Sequence, residues 1–208
     1  MILEAAIRVF ARSGYHGSRI ADIASEAGIA YGLVYHYFKN KEEILSSVFE
    51  ERWGAFLDTL EQIASQPAPA EQKLGSVATV ILGGHHVRPE WVKVLVLEIQ
   101  RSSRFARPDQ IRAVGRLFQI VARILREGQE KGELRPDLDP DVACYVFIGA
   151  LEIVITGVVL NVIQPGEEPE PGAGGERLER DDGAYYQRVG RTVVDIFLNG
   201  VARSGGAG

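Results

Sequence analysis

The stretch that decides the fold is residues 27–45, which read AGIAYGLVYHYFKNKEEIL. Gly28 ends a short amphipathic segment, and the apolar spacing after it predicts a second short helix over residues 30–38. The basic segment 39–41 opens a longer helix with two glutamates in its first turn, where the helix dipole favours anions. Two short helices joined by a glycine turn are typical of a helix-turn-helix, although such pairs are also common in all-α cores.

Apolar residues recur at helical spacing on both sides of this stretch, without sustained alternation of apolar and polar residues. The sequence predicts an all-α fold of about nine helices, with a three-helix helix-turn-helix module in residues 1–45 and a larger helical bundle in residues 46–203. Gly14 is expected to end the first helix and Ser18 to cap the second, because these residue types favour those positions. The predicted helices cover residues 2–14, 19–27, 30–38, 40–63, 71–86, 91–103, 108–131, 140–160 and 184–201.

The composition is that of a soluble globular protein, since 46% of the 208 residues are hydrophobic and 25% are charged. Cys144 is the single cysteine, which excludes an intrachain disulfide and a multi-cysteine zinc site. The first ten residues lack a basic leader, so no secretory signal is expected and the cytoplasm is the expected compartment. Residues 142–160 are nearly all apolar, but Glu152 at their midpoint favours a helix buried by its own domain and a partner over a membrane span.

Charge is unevenly distributed along the chain. The whole sequence has a net charge of −5, whereas residues 1–41 hold five basic and three acidic side chains. This asymmetry indicates an N-terminal module that faces a polyanion. Residues 164–183 are rich in proline, glycine and acidic side chains, and they are expected to form a mobile polar loop.

Residues 27–45 closely resemble the signature of the TetR family of one-component transcriptional repressors. Upstream, residues 2–6, Phe10, 14–15 and 22–24 fit the same family pattern in order and spacing. The resemblance implies a helix-turn-helix that binds double-stranded operator DNA through its third helix and neighbouring residues. The residues that it assigns to DNA contact are Ser18, Arg19, Tyr31, Gly32, Tyr35, His36 and Lys41.

Each of these positions has a physical role and a simpler alternative. Gly32 would let the helix backbone approach the duplex, and Tyr31 and Tyr35 would offer hydroxyl groups and apolar rings to phosphates or thymine methyls, although tyrosines at helical spacing often only pack. Lys41 would pair with a phosphate. The Ser18 hydroxyl could reach the DNA backbone, but a capping role alone would explain it.

The sequence departs from the family pattern at three places. Ala30 stands where a serine or threonine cap is usual. The basic arm of many relatives is not seen before Ile2, so either the DNA-binding surface makes fewer phosphate contacts or the natural chain begins earlier. Leu33 stands where a hydroxyl residue commonly touches DNA. Leu33, Val34 and Phe38 are therefore predicted as core residues that hold the third helix against Ile20, Ile23 and Phe10.

One module makes too few contacts for tight binding, and a palindrome needs two recognition helices about 34–36 Å apart. The eighth and ninth helices carry wide apolar faces, so we expect a homodimer that buries both in an isologous four-helix interface. The residues assigned to that interface are Val154, Val158, Val189, Val193, Ile196 and Phe197.

Helices four to eight are rich enough in apolar residues to enclose a small-molecule pocket, although a filled core would have the same composition. The residues assigned to ligand binding are Trp91, Leu95, Glu98, Arg101, Arg104, Phe118, Phe147 and Leu151. Arg101, Arg104 and Arg107, with the arginine stripe of helix seven, either rim this pocket and bind phosphates or form a solvated helix face. Residues 97–102 resemble the acyl-CoA-responsive regulators of fatty-acid degradation within the family.

The resulting expectation is a repressor that binds a palindromic operator and is released when a small, largely apolar effector, such as a long-chain acyl-CoA, fills the pocket. A DNA-binding or partner-binding protein without a small ligand is the alternative. No nucleophile elbow, phosphate-binding glycine loop or metal-ligand motif occurs in the sequence, so neither catalysis nor a metal or cofactor is expected.

Overall fold

The computed structural model describes residues 1–99, 108–165 and 182–201, and nine α-helices account for the regular structure of these ranges. The all-α prediction is confirmed. The predicted polar loop lies almost entirely outside the described residues. The helices are α1 (Ile2–Gly17), α2 (Ile20–Ala27), α3 (Tyr31–Tyr37), α4 (Lys41–Ala64), α5 (Ala70–Val87), α6 (Pro89–Val94, continued by the π-helical turn Leu95–Ile99), α7 (Pro108–Glu130), α8 (Pro140–Val159) and α9 (Asp182–Val201).

Internal contacts divide the chain into two compact units. The N-terminal unit comprises Met1–Thr59 and Arg88–Val114, and the C-terminal unit comprises Leu60–Val87 and Gly115–Gly208. Helix α6 packs on α1, and α4 continues without a break through the predicted domain boundary after residue 45, which stays a prediction.

Helices α1, α2 and α3 form the three-helix part of the N-terminal unit. Their shared core contains Phe10, Ile23 and Val34, which are almost completely excluded from solvent. Phe38 is half-buried, but Leu33 is 41% exposed, so its predicted place in the core is wrong. Helix α3 has seven residues and packs on the core through Val34. Leu33, one residue earlier, is rotated by about 100° from Val34 and so points away from the core.

Helix α1 bends sharply at Gly14, where it was predicted to end. Gly14 has φ 70° and ψ 162°, a conformation that side chains other than glycine rarely adopt, and one further turn follows it. Ser18 ends that turn and donates its hydroxyl hydrogen to the Tyr15 carbonyl at 2.8 Å. The predicted role of Ser18 as the cap of α2 is therefore wrong. Arg19 occupies the cap position, and its backbone N–H donates to Asp22 Oδ2 at 2.7 Å.

In the C-terminal unit, α5 packs along α9 and α8 contacts both. Lys73 is buried on α5 and donates from Nζ to the Ala64 carbonyl at 2.6 Å and to Glu127 Oε2 at 2.9 Å. This hydrogen bond from Lys73 lowers the pKa of the Glu127 carboxyl group. A buried ammonium group with a partner of opposite charge thus joins the end of α4 to α5 and α7 within this unit.

Helix α8 is the one described helix whose length and apolar composition would suffice to cross a membrane, a test that core helices of soluble proteins also pass. Asp139 caps it by accepting hydrogen bonds from the backbone N–H groups of Asp141 and Val142. Phe147 and Leu151 lie on its fully buried side. Its opposite side is exposed, so residues 1–99, 108–165 and 182–201 cover only one face of this helix.

The bend in α1 gives a matched pair of glycine substitutions. Gly14→Ala is expected to lower the free energy of unfolding by about 1–3 kcal/mol, because it forces a positive φ and brings a Cβ to 3.3 Å from Glu98 Oε1. Gly17→Ala, where a Cβ meets nothing within 4 Å, should raise stability by up to about 1 kcal/mol. Thermal and urea unfolding followed by circular dichroism measures both. Equal stability of the two variants would contradict the role given to the bend.

Candidate nucleic-acid interface

Helix α3 presents nearly all of its residues to solvent. Tyr31 is 53% exposed and Tyr35 is 46% exposed, whereas Val34 is completely buried. The alternative that these two tyrosines pack in the core does not hold for this structure. Gly32, His36 and Tyr37 are also exposed.

The Tyr31 and Tyr35 side chains hold each other in place. Their hydroxyl oxygens are 3.0 Å apart, and their rings meet edge to face with centroids 5.2 Å apart. The hydrogen bond with Tyr31 raises the pKa of the Tyr35 phenol. The pair therefore forms a preorganised polar and aromatic ridge on α3.

Gly28 and Gly32 shape the turn before α3 and the space available next to its backbone. Gly28 ends α2 with φ 66°, and its N–H donates to the Ser25 carbonyl at 3.1 Å, which fixes the turn between α2 and α3. At Gly32 an added Cβ would meet no atom within 4 Å, so the α3 backbone is open to a close approach there. A helical rotation of about 100° per residue places Gly32 and His36 opposite the buried Val34.

Lys41 joins the first turn of α4 to the end of α1. Its Nζ donates to the Tyr15 carbonyl and, at 2.7 Å, to the Ser18 carbonyl, and it lies 4.4 Å from the centre of the Tyr15 ring. Asn40 caps the same helix start, because its Oδ1 accepts from the Glu43 N–H at 2.8 Å. The ammonium group of Lys41 thus has a structural role within the unit, and its contact with a phosphate stays a prediction.

The other predicted DNA contacts differ in accessibility. Arg19 is exposed at the start of α2, whereas Ser18 is buried and its hydroxyl hydrogen is already donated within the protein. Sequence reasoning missed Leu33 and Tyr37, which share the exposed side of α3. Counting helical positions from Val34 turns Leu33 by only about 100° and Tyr37 by only about 60° from the buried side, so the helical period alone finds neither.

The residues assigned to ligand binding divide between the two units. Trp91, Leu95 and Glu98 belong to the N-terminal unit, at α6 and its π-helical turn. Phe118, Phe147 and Leu151 belong to the C-terminal unit, where Phe147 and Leu151 are fully buried. Arg101 and Arg104, with Arg107, lie outside the described residues. On α7 the exposed Arg123 and Arg126 pair with Glu61 and Asp141, and Arg112 and Arg116 are exposed, which agrees with a solvated helix face.

The residues assigned to the dimer interface fall into three groups. Val158 and Phe197 are buried within the subunit, and the Phe197 ring lies 5.1 Å from that of Phe147, so both belong to the core and not to an exposed face. Ile196 is exposed. The half-buried members are Val154, Val189 and Val193.

This arrangement defines the class of the protein. Helix α3 is short, has an exposed polar and aromatic face, and follows a glycine turn in a three-helix core. These are the features of the recognition helix of a helix-turn-helix regulator. Residues 2–48 match the family model described as bacterial regulatory proteins, tetR family, and residues 49–164 match that of the YsiA-like protein, C-terminal region. The chain belongs to the TetR family of transcriptional repressors, which are regulators and not enzymes.

Known relatives agree with this assignment. The fatty acid metabolism regulator protein of Bacillus subtilis is 34% identical over 77% of this chain and 82% of its own length. The crystal structure of FadR from Bacillus subtilis in complex with stearoyl-CoA has a TM-score of 0.78 and 29% identity, covering 96% of this chain and 97% of that one. The fatty acid degradation regulator FadR from Bacillus halodurans has a TM-score of 0.74 and 26% identity, covering 93% of this chain and 96% of that one.

The two lysines that flank Asn40 test the structural role of Lys41. Lys41→Met should lower the free energy of unfolding by about 2 kcal/mol, because the carbonyls of Tyr15 and Ser18 lose a charged donor. Lys39 is exposed, and the backbone N–H that it donates to Glu43 survives substitution, so Lys39→Met should change stability by less than about 0.5 kcal/mol. Urea unfolding measures both values. A Lys41→Met variant as stable as Lys39→Met would contradict the assignment.

Proposed function

We propose that this protein is a cytoplasmic repressor that binds a palindromic operator as a homodimer and leaves it when a long-chain acyl-CoA binds. The single observation that carries the DNA-binding part is the exposed face of α3, opposite Val34, on a core that excludes solvent. The effector part is supported by the similarity to FadR proteins, one of which has been crystallised with stearoyl-CoA.

Helix α3 would enter the major groove with its Gly32 and His36 side. Gly32 allows the backbone to approach closely. One hydroxyl hydrogen of the Tyr31 and Tyr35 pair is used between the two rings, and the other can be donated to a phosphate or base edge beside it. Arg19 at the start of α2 would contact the DNA backbone. Because few cations flank α3, the affinity should depend on salt less steeply than in strongly basic DNA-binding proteins.

A second subunit would cover the exposed side of α8. Its apolar members recur at helical spacing, and Ile153 is 67% exposed. Soluble monomers rarely expose a continuous apolar stripe along a helix, and a twofold axis would bury two such stripes against each other. The proposed interface adds the outer face of α8 to the predicted residues, of which Val158 and Phe197 are buried within the subunit. The added residues are Val142, Tyr145, Val146, Gly149 and Ile153.

Release by an effector requires that the ligand prefer one conformation strongly. Moving the protein from mostly DNA-competent to mostly incompetent needs a difference in affinity of about 10⁴, or ~5.5 kcal/mol. Burial of about seven methylene groups in only one state would supply that free energy at ~0.8 kcal/mol each, before ordering costs. A long acyl chain has enough methylene groups, whereas a short one does not.

The effector proposal is tested by titrating the protein bound to a fluorescently labelled operator duplex with stearoyl-CoA. Fluorescence anisotropy should fall to the value of unbound DNA, and calorimetry should detect binding of stearoyl-CoA to the protein alone. Coenzyme A and stearate, each lacking half of the ligand, are the matched controls and should not release the DNA. Operator binding that persists at saturating stearoyl-CoA would favour the alternative of a regulator without this effector.

The dimer proposal is tested by placing a charge on α8. Ile153→Glu should weaken self-association by at least about 100-fold, because the isologous interface would bury two unpaired carboxylates. Val87→Glu changes an equally accessible aliphatic residue, 71% exposed at the end of α5, and should leave the dimer intact. Sedimentation equilibrium distinguishes these results. A dimer of unchanged affinity in Ile153→Glu would exclude this face as the interface.

A further inference from the structure

The face that α3 offers to DNA lacks the side chains that read purines by paired hydrogen bonds. The helix reads YGLVYHY, without arginine, lysine, asparagine or glutamine. Arginine and lysine are the usual partners of guanine, and asparagine and glutamine are those of adenine. Base recognition by this helix must therefore rely on single hydrogen bonds and on apolar contacts.

Leu33 is the aliphatic side chain on that face. It is 41% exposed, and helical rotation places it on one side of the Gly32 and His36 position, with Tyr35 on the other. The Tyr35 hydroxyl is already hydrogen-bonded to Tyr31, whereas Leu33 has no polar atom. An exposed leucine beside the point of closest backbone approach meets whatever apolar group the groove presents.

The major groove presents one apolar group, the 5-methyl group of thymine. We propose that Leu33 packs on a thymine methyl in each half-site and is a specificity-determining residue of this protein. The proposal rests on the placement of α3 in the major groove under Proposed function, and it assigns a contact where the sequence departs from the family pattern. A contact with a thymine methyl group would also give the exposed Leu33 side chain a role that packing in the protein core does not give it.

Deoxyuridine gives a probe of this contact, because it pairs like thymine and keeps the O4 acceptor but lacks the methyl group. Loss of one buried methyl should weaken binding by about fourfold, which corresponds to ~0.8 kcal/mol. The same loss should follow when the leucine side chain is shortened instead. If both groups belong to one contact, the two losses will not add.

The experiment begins with the full-length wild-type protein and a pool of random duplexes, from which an operator is selected. Each thymine of that operator is then replaced singly by deoxyuridine, and dissociation constants are measured for wild type, Leu33→Ala and Val87→Ala. The Val87→Ala variant shortens an exposed aliphatic side chain at the end of α5. Circular dichroism and thermal unfolding verify that Leu33→Ala keeps its fold, which is expected because alanine favours helix.

The expected result is one thymine per half-site whose replacement weakens binding by wild type and Val87→Ala about fourfold, but weakens binding by Leu33→Ala less than about 1.5-fold. If no thymine replacement matters, or if the full loss persists in Leu33→Ala, the assignment of Leu33 is overturned while operator binding stands. If wild type selects no operator from the pool, the proposed function itself fails. These outcomes separate the two proposals.

Discussion

The ammonium group of Lys41 binds the end of α1, and the position of the recognition helix α3 depends on that contact. Gly14 turns the backbone so that a last helical turn precedes α2. The carbonyls of Tyr15 and Ser18 then both accept from Lys41, at the first residue of α4. Because α2 and α3 lie between those two points in the chain, this tie closes the segment that contains them and limits how far α3 can move.

The shortness of α3 explains the chemistry of its surface. A seven-residue helix is not stable alone, so it depends on the packing of Val34 into the three-helix core. One inward position is enough for that purpose, and the remaining side chains stay available for a ligand. Their hydroxyl, imidazole and aliphatic groups suit a groove read mainly by shape, single hydrogen bonds and methyl contacts.

In the C-terminal unit, α8 likewise has an inner face that is buried and an outer face that is exposed. Phe147 packs on Phe197, and Phe147 and Leu151 are fully buried, so the inner face of α8 is covered within one chain. The outer face carries Val142, Tyr145, Val146 and Ile153, which the described residues of the subunit leave exposed. Apolar composition alone does not distinguish the two faces, which is why the dimer residues predicted from sequence included the buried Phe197.

The sequence by itself determined the helical fold, the helix-turn-helix and several helix ends. Asn40 caps α4 and Gly132, with φ 74°, follows α7, because capping and left-handed turns act over only a few residues. Only the tertiary structure decided that Leu33 faces solvent, that the Ser18 hydroxyl turns inward and that Lys41 is tied to α1. The direction of a side chain depends on which neighbouring helix occupies the other side, and periodicity within one helix does not contain that information.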